Sequence, residues 1–276
     1  MMELINIFMN DKNAISDKKI LNSEERQAYI LEQLKIHGKV RVVDLSRDLD
    51  VSGVTIRSDL ENLQKTEYLE RVHGGAIQSL HQYDNMDYQE RLLLRRQEKM
   101  EIAREILNYI NNGDTIALNA GTTSYFVALE LKNKKNLKII TNSIPVATEL
   151  NMNSNIKIIL LGGAINSHYS FTYGMDALNQ MEKYRINKAI ISVDGVDINA
   201  GITTFHQEEV DLSAKMMERA KVRIVISDYT KIGRESFVKI KDLDEVDRII
   251  TDSKADRNIV EMLKKKGAEV VCAPHF

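Results

Sequence analysis

Residues 51–60, with the sequence VSGVTIRSDL, constrain the fold of the first part of the chain most strongly. Ser52 is of a type that favours helix N-caps. The apolar residues after it recur at helical spacing, at Ile56, Leu60 and Leu63. A second short helical pattern covers residues 43–49, and the two residues between the patterns leave room only for a tight turn. The pattern therefore predicts a helix-turn-helix whose second helix begins at about Ser52.

The face of this second helix opposite the apolar stripe is small and polar, which suits a DNA major groove. Hydroxyls can hydrogen-bond base edges, a valine methyl can touch thymine, and an arginine can reach a phosphate or a guanine. The alternative is an ordinary amphipathic helix pair with a solvated outer face. The residues predicted to contact DNA are Arg41, Ser52, Val54, Thr55, Arg57, Ser58 and His73.

The sequence around these helices predicts a complete winged domain over residues 23–77. Ser23 can cap a first helix, which should stop at the His37-Gly38 pair. Residues 68–72 and 76–77 are strand-like and flank a glycine turn, which indicates a wing. His73 in that turn is expected to be a surface residue rather than a metal ligand. Residues 1–22 are interpreted as an extension and the polar stretch 78–90 as a linker.

The rest of the chain, residues 91–276, predicts a larger α/β domain. A helical pattern covers residues 91–109, and short apolar runs then alternate with helical segments. Runs buried on both faces that alternate with helices indicate a mainly parallel sheet with helices on both sides. The strand candidates are residues 115–118, 137–140, 156–161, 188–193, 222–227, 248–250 and 269–271.

Polar turns follow several of these strands, and ligands bind at the carboxyl ends of such strands. Residues 121–123, Gly-Thr-Thr at a helix start, offer backbone N–H groups and hydroxyls for a phosphate, and Lys231 could add a positive charge. Each turn alone is ordinary capping chemistry, whereas several on one edge predict a site. The candidate effector-binding residues are Asn119, Gly121, Thr122, Thr123, Thr141, Asn142, Gly162, Gly163, Asp194, Gly195, Asp197, Glu209 and Lys231.

Composition excludes several other classes of protein. No apolar run approaches membrane-spanning length, and the N-terminus lacks signal-peptide features, so we expect a cytoplasmic protein without membrane contact. The single cysteine, Cys272, excludes an intramolecular disulfide and is expected to be buried in a strand. No metal-ligand spacing or cofactor motif is present, so neither is expected. The net charge is −2, so DNA affinity should depend on local cations and on a homo-oligomer, a dimer or tetramer.

Two longer stretches add a resemblance to these patterns. Residues 25–77, with the ER start, VSGVTIRSDL and RVHGGA, resemble the DNA-binding domain of the DeoR family of bacterial transcription regulators. Residues 118–252, with NAGTT, TNS, LGGAI, DGVD, GITTF, Glu209, SDYTK and IITD, resemble the same family's effector domain, which is similar in fold to sugar-phosphate isomerases. Asn119 stands where that family usually has Asp.

The resemblance implies a repressor of genes for sugar uptake or breakdown that binds double-stranded operator DNA. A phosphorylated sugar or related metabolite would bind the second domain and alter DNA binding by the first. The alternative is a sugar-phosphate isomerase-like enzyme with an attached DNA-binding domain. In that case the carboxylates of Asp194, Asp197, Glu208 and Glu209 and the Lys231 ammonium would transfer protons.

Overall fold

The computed structural model describes residues 21–65, 68–79 and 86–276. Almost all of the expected N-terminal extension, 1–22, and the middle of the expected linker, 78–90, lie outside the described residues. The chain divides into two compact units, Met1–Ser79 and Leu80–Phe276. We call them the N-terminal unit and the sensor unit.

The N-terminal unit is a winged helix-turn-helix. Its predicted helix pair is confirmed, with the second helix N-capped by Ser52, whose Oγ accepts from Thr55 N at 3.1 Å. The wing pairs antiparallel with β1, in the order β1-β3-β2. Its elements are α1 Ser23–His37, β1 Lys39–Arg41, α2 Val42–Asp48, α3 Gly53–Gln64, β2 Leu69–Val72 and β3 Gly75–Gln78.

The cap of α1 differs from the expectation that Ser23 makes it. Asn22 is the N-cap, and it forms a capping box with Glu25, each side chain accepting from the other's backbone N at 2.9 Å. The Ser23 hydroxyl instead donates to Asp59 Oδ1 at 3.2 Å. The predicted end of the helix is confirmed, because Gly38 closes it in the left-handed conformation with φ 69°.

A buried ion pair joins α1 to α3. Arg26 donates from Nε to Asp59 Oδ2 at 2.9 Å and from Nη2 to Oδ1 at 3.2 Å, and the Asp59 side chain is only 3% exposed. Asp59 lies on the face of α3 that also buries Ile56, Leu60 and Leu63. The predicted apolar stripe is confirmed. It also contains the Asp59 carboxylate, whose charge is neutralised by the bidentate Arg26 guanidinium.

The sensor unit is built on a seven-stranded parallel sheet in the order β15-β14-β12-β9-β4-β5-β6. Every strand candidate from the sequence lies in this sheet, so the predicted fold class is confirmed. Its strands are β4 Thr115–Leu118, β5 Leu137–Thr141, β6 Ile156–Leu160, β9 Ile186–Ser192, β12 Ala220–Ile226, β14 Arg248–Thr251 and β15 Glu269–Cys272.

Helices cover both faces of this sheet because successive strand residues point to opposite sides. Along β4, for example, Ile116 and Leu118 pack in one apolar cluster with α5, α6 and α7, whereas Ala117 packs in the other with α8, α9 and α10. The helices of this unit are α4 Tyr88–Leu93, α5 Arg96–Ile106, α6 Thr122–Leu131, α7 Ile144–Leu150, α8 Met175–Met181, α9 Gln207–Glu218 and α10 Arg257–Lys265.

Two antiparallel elements lie outside this sheet, and the sequence reading missed both. They are the pair β7 Ala164–Asn166 and β8 Phe171–Tyr173, and the sheet β10 Gly195–Asp197, β11 Gly201–Thr204 and β13 Val238–Lys241. In the polar stretch 194–197, which follows the strand candidate 188–193, residues 195–197 form β10 instead of a turn. Gly195 permits this pairing, since a Cβ there would lie 2.3 Å from Thr203 Oγ1 and 2.5 Å from Arg234 O.

The helix expected over residues 91–109 is broken. It begins earlier, at Tyr88, stops at Leu93, and resumes at Arg96 after Arg95, which has a left-handed φ of 48°. The Arg95 side chain is buried and lies with Nε 3.4 Å from Asp228 Oδ1 at the end of β12. An uninterrupted helix would carry this guanidinium elsewhere, so the ion pair gives a physical reason for the break.

The expectation that Cys272 is buried is wrong. It is exposed, because it is the last residue of β15, which forms one edge of the sheet. No helix in the described ranges is long and apolar enough to span a membrane.

Candidate functional site

The outer face of α3 carries most of the predicted DNA contacts. Val54 is 72% exposed, and Arg57 and Ser58 are exposed beside it. Ser52 and Thr55 start the same helix with their hydroxyls 2.9 Å apart, so each is already partly satisfied within the protein. This surface has the size and polarity of a face that reads bases.

The two arginines predicted to contact DNA differ in whether an acidic side chain already binds them. Arg41 forks onto Asp44, with Nε to Oδ2 at 2.6 Å and Nη2 to Oδ1 at 3.0 Å. Arg57 makes no ion pair with any described residue. A phosphate or base would therefore have to displace Asp44 from Arg41, whereas Arg57 can bind one without such a loss. His73 is exposed in the β2–β3 turn beside Gly74, at the tip of the wing.

The sensor unit contains a cleft at the carboxyl ends of β4 and β9, with about 370 Å³ of empty volume including the part open to solvent. It lies where ligands bind in parallel α/β sheets. Of the predicted effector residues, Gly121, Thr122, Asp194 and Glu209 line it. The full lining is Tyr88, Arg91, Ala120, Gly121, Thr122, Tyr169, Phe171, Ser192, Asp194, His206 and Glu209.

The turn between β4 and α6 forms one wall of this cleft. Gly121 is the N-cap of α6, with φ 141°, and a Cβ there would lie 2.8 Å from Ser192 Oγ at the end of β9. Only glycine therefore fits this turn without a shift. The first backbone N–H groups of a ten-residue helix and its positive dipole end face the cleft at this point.

Asp194 is the centre of a buried polar network at the base of the cleft. Its Oδ1 accepts from Arg91 Nη2 at 3.0 Å and from Lys231 Nζ at 2.8 Å. Its Oδ2 accepts from Thr204 Oγ1 at 3.1 Å and from Phe205 N at 3.2 Å. Two cations and two neutral donors thus hold the carboxylate in place, and burial of a charge requires such partners.

Three titratable groups in the cleft have shifted pKa values. Burial alone would raise the pKa of Asp194, but the charges of Lys231 and Arg91 outweigh it and hold that pKa well below its usual range. Burial and the neighbouring Asp194 carboxylate raise the pKa of Glu209 to about 8. Burial lowers the pKa of His206 against the opposing attraction of Asp194. At neutral pH the cleft therefore presents an ionised Asp194, a largely protonated Glu209 and a neutral His206.

Two buried polar atoms on residues that line the cleft have no hydrogen-bond partner within the described ranges. Among the described residues, neither Tyr88 Oη nor His206 Nε2 has a hydrogen-bond partner. The His206 ring packs against the Tyr169 ring at a tilt of 48° with centroids 4.0 Å apart, and the Arg91 guanidinium lies 5.2 Å from the Tyr169 ring centroid. Most buried polar groups are hydrogen-bonded, so unsatisfied atoms lining a cleft indicate a missing partner.

Several predicted effector residues are bonded within the protein instead of lining the cleft. The Asn119 amide donates to Ser192 O at 2.9 Å and accepts from Ser192 N at 2.7 Å, so it ties β4 to β9. Asn142 accepts from Ala120 N at 2.9 Å and donates to Thr172 O at 3.1 Å. These two amides hold the loops that form the cleft.

The Lys231 ammonium belongs to the Asp194 network. Besides Asp194 it donates to Val193 O at 3.2 Å, and the residue is 7% exposed and does not line the cleft. Arg91 lines the cleft instead, from the helix α4 that the sequence reading divided between the linker and the second domain.

The remaining predicted residues have local roles. Asp197 accepts from Asn199 N and Ala200 N at 2.8 and 3.0 Å. Thr141 Oγ1 accepts from Ser143 N at 3.0 Å, and Gly162 exchanges hydrogen bonds with the Gln180 amide. Thr123, Gly163 and Gly195 lie within the same strand-end region without lining the cleft.

Sequence reasoning missed most of the aromatic and basic lining of the cleft. A signal existed for His206, which is the N-cap residue of α9 and directly follows the GITTF run. No local signal points to Tyr88, Arg91 or Tyr169, since each reaches the cleft from outside the strand ends. In the described part of the chain, no group of three or more His, Cys, Asp or Glu side chains could hold a metal ion.

Comparison with known proteins gives a consistent result. Residues 26–82 match the model of the DeoR-like helix-turn-helix domain, and residues 94–253 match that of the DeoR C-terminal sensor domain. An uncharacterized HTH-type transcriptional regulator, YulB, of Bacillus subtilis is 35% identical, covering 91% of this chain and 96% of its own. The transcriptional repressor GlcR of Bacillus subtilis is 34% identical, and the match covers 90% of this chain and 95% of GlcR. The glycerol-3-phosphate regulon repressor of Escherichia coli is 30% identical, and the match covers 88% of this chain and 96% of that repressor.

Proposed function

The chain belongs to the DeoR family of transcriptional regulators, and from this membership we propose that it represses genes for sugar uptake or breakdown in response to a metabolite. The relatives include a regulon repressor named for glycerol 3-phosphate, a phosphorylated polyol. The proposed effector is a phosphorylated sugar or related metabolite bound in the cleft of the sensor unit.

The observation that carries the ligand proposal is the composition of the cleft. A helix N-terminus at Gly121 and Thr122 and the Arg91 guanidinium suit a phosphate. Glu209, His206 and Tyr88 offer donors and acceptors for sugar hydroxyls at the same cleft. A small anionic polyol matches both halves of this surface, whereas a purely apolar ligand would leave the polar atoms unsatisfied.

Binding is favoured over isomerase chemistry by the state of Asp194 and by the relatives. A general base must accept a proton near neutral pH, but the cations on Asp194 hold its pKa well below the usual range. Glu209, whose pKa is raised to about 8, remains a lining carboxyl suited to proton transfer, so the preference for binding depends mainly on the relatives. The relatives reported above are also named as regulators or repressors.

For the N-terminal unit, we propose that α3 enters the major groove of operator DNA with Arg57, Val54, Thr55 and Ser58 toward the base edges. One helix-turn-helix covers only a few base pairs, so two copies are needed to read a complete site. We therefore propose a symmetric homo-oligomer, a dimer or tetramer, held mainly by the sensor unit.

The test of the effector proposal is a thermal-shift screen of the full chain. The probes are glucose 6-phosphate, fructose 6-phosphate, ribose 5-phosphate and glycerol 3-phosphate, with glucose and inorganic phosphate as controls. A ligand at 100 times its dissociation constant stabilises the folded protein by about 2.7 kcal/mol. We expect at least one phosphorylated probe to raise the melting temperature above both controls, and no shift with any of them would refute the proposed effector class.

A further inference from the structure

Tyr88 is the first residue of α4 and lies in the wall of the cleft. It is 7% exposed, and its Oη is buried without a hydrogen-bond partner among the described residues. Burial, and secondarily the neighbouring Tyr125 and Glu149, raises the pKa of this phenol above its ordinary value. The hydroxyl therefore keeps its proton at neutral pH and can act as a donor.

The position of Tyr88 is set by its surroundings. Asp87 and Glu90 form a capping box at the start of α4, with the Glu90 N to Asp87 Oδ1 distance 2.9 Å. Tyr88 N donates to His168 O at 3.1 Å, and Lys99 Nζ donates to Arg91 O at 2.5 Å. Bonds at both ends of this short helix hold it against the rest of the sensor unit and so fix the Tyr88 backbone in the wall of the cleft.

His206 provides a second, independent observation on the same cleft. Its Nε2 is also buried and without a partner in the described residues, on an element far from α4 in sequence. The two residues that carry these unsatisfied atoms come from separate elements, and they line one cleft together with Arg91. Buried polar atoms of this kind are normally satisfied by a ligand or a bound water.

We propose that Tyr88 is a ligand-reading residue, whose hydroxyl hydrogen-bonds an oxygen of the phosphorylated metabolite in the cleft. This inference rests on the proposed function of the cleft. Because α4 opens the described part of the sensor unit, the ligand would bond directly to the segment that follows the N-terminal unit in the chain. Effector occupancy then stabilises α4 in its docked position through a bond that the empty cleft does not supply.

The test uses the full chain with Tyr88→Phe, which removes only the hydroxyl. The matched control is Tyr125→Phe, whose hydroxyl donates to Glu149 Oε2 at 2.9 Å and which does not line the cleft. Without ligand, Tyr88→Phe should melt at or above the wild-type temperature, because it loses no hydrogen bond, and Tyr125→Phe should melt lower. A Tyr88→Phe protein that melts as far below the wild type as the control would show that a water or protein group already satisfies the hydroxyl, and would overturn the inference.

Affinity is then measured by calorimetric titration with whichever probe of the screen gives the largest thermal shift. Tyr88→Phe should weaken binding by about 10-fold or more, as expected for a lost hydrogen bond to a charged or strongly polar ligand, and Tyr125→Phe should stay within about 2-fold. If the wild type and Tyr88→Phe bind the probe equally, this inference fails and the proposed function stands. If no probe binds the wild type, the proposed function fails, and the inference with it.

Discussion

Replacing Lys231 with methionine tests whether this lysine is a structural partner of Asp194 rather than a ligand contact. Lys231 is 7% exposed and donates to Asp194 Oδ1 at 2.8 Å and to Val193 O at 3.2 Å. Methionine fills a similar volume without the charge. The change leaves a buried carboxylate with Arg91 as its remaining cation.

The magnitude follows from what remains around Asp194. Removing one partner of a buried ion pair costs about 3 to 5 kcal/mol. Arg91 still lies 3.0 Å from the carboxylate, and Thr204 and Phe205 still donate to it, so we expect the low end, about 3 kcal/mol. The control is Lys264→Met, which breaks an ion pair whose Lys264 and Glu261 side chains are 44% and 61% exposed and should cost less than about 1 kcal/mol.

The pH dependence has a definite sign. In the wild type the folded-state pKa of Asp194 is depressed, so its stabilisation is fully present above the unfolded value of 3.8 and is lost as the pH falls below that. In Lys231→Met a main cause of the depression is gone, and the folded-state pKa rises. The expected cost of about 3 kcal/mol raises that pKa by only about 2, so it stays below the unfolded value of 3.8, and the deficit relative to the wild type should be the same at pH 7.5 and pH 5.

The assay is guanidinium denaturation of the full chain followed by near-ultraviolet circular dichroism at both pH values. The free energy of unfolding is also measured for Asp194→Asn and for the double variant, which completes a double-mutant cycle with Lys231→Met. Because the two side chains are in contact, we expect a coupling energy of about 2 kcal/mol, compared with under about 0.5 kcal/mol for independent sites. Additive effects of the two substitutions would refute the assignment of Lys231 to this network.

Three further predictions concern DNA binding, protonation and assembly. Arg57→Ala should weaken binding to an operator selected from random duplexes by about 1 to 3 kcal/mol in gel-shift titrations at fixed salt, and unchanged affinity would refute the role of α3. Between pH 4.5 and about 8 the folded protein holds a proton on Glu209 that the unfolded chain has lost, so wild-type stability falls as the pH rises through this window. Glu209→Gln should therefore gain in melting temperature over the wild type from pH 5 to pH 8.5, and a constant difference would contradict the raised pKa. Sedimentation at micromolar concentration should give a dimer or tetramer, and a monomer with and without DNA would rule out the homo-oligomer.

Much of the fold was predictable because its signals are local. The spacing of Ile56, Leu60 and Leu63 predicts a buried helix face from within one helix, and Ser52 caps it through a bond to Thr55. The apolar runs likewise predict each strand of the parallel sheet, since strands buried on both faces need no partner to be recognised. Gly121 was placed correctly at a strand-to-helix turn for the same reason.

Part of what was missed had a signal within reach. Asp59 comes three residues after Ile56 and four before Leu63, so periodicity places its carboxylate on the buried face of α3. The identity of its partner, Arg26, 33 residues earlier, is not contained in that periodicity. The cap at Asn22 could also have been recognised from the glutamate three residues later.

The composition of the cleft was decided by tertiary structure. Arg91 and Asp194 are 103 residues apart in the chain, and they meet only because α4 packs beside the ends of β4 and β9. The same packing turns Lys231 toward Asp194 and leaves Tyr88 Oη and His206 Nε2 without a hydrogen-bond partner in the described part of the chain. Helix caps and periodic faces depend on neighbours within a few residues, so the sequence alone determines them. The partner of a buried charge depends on which distant elements pack together, and only the folded chain determines that.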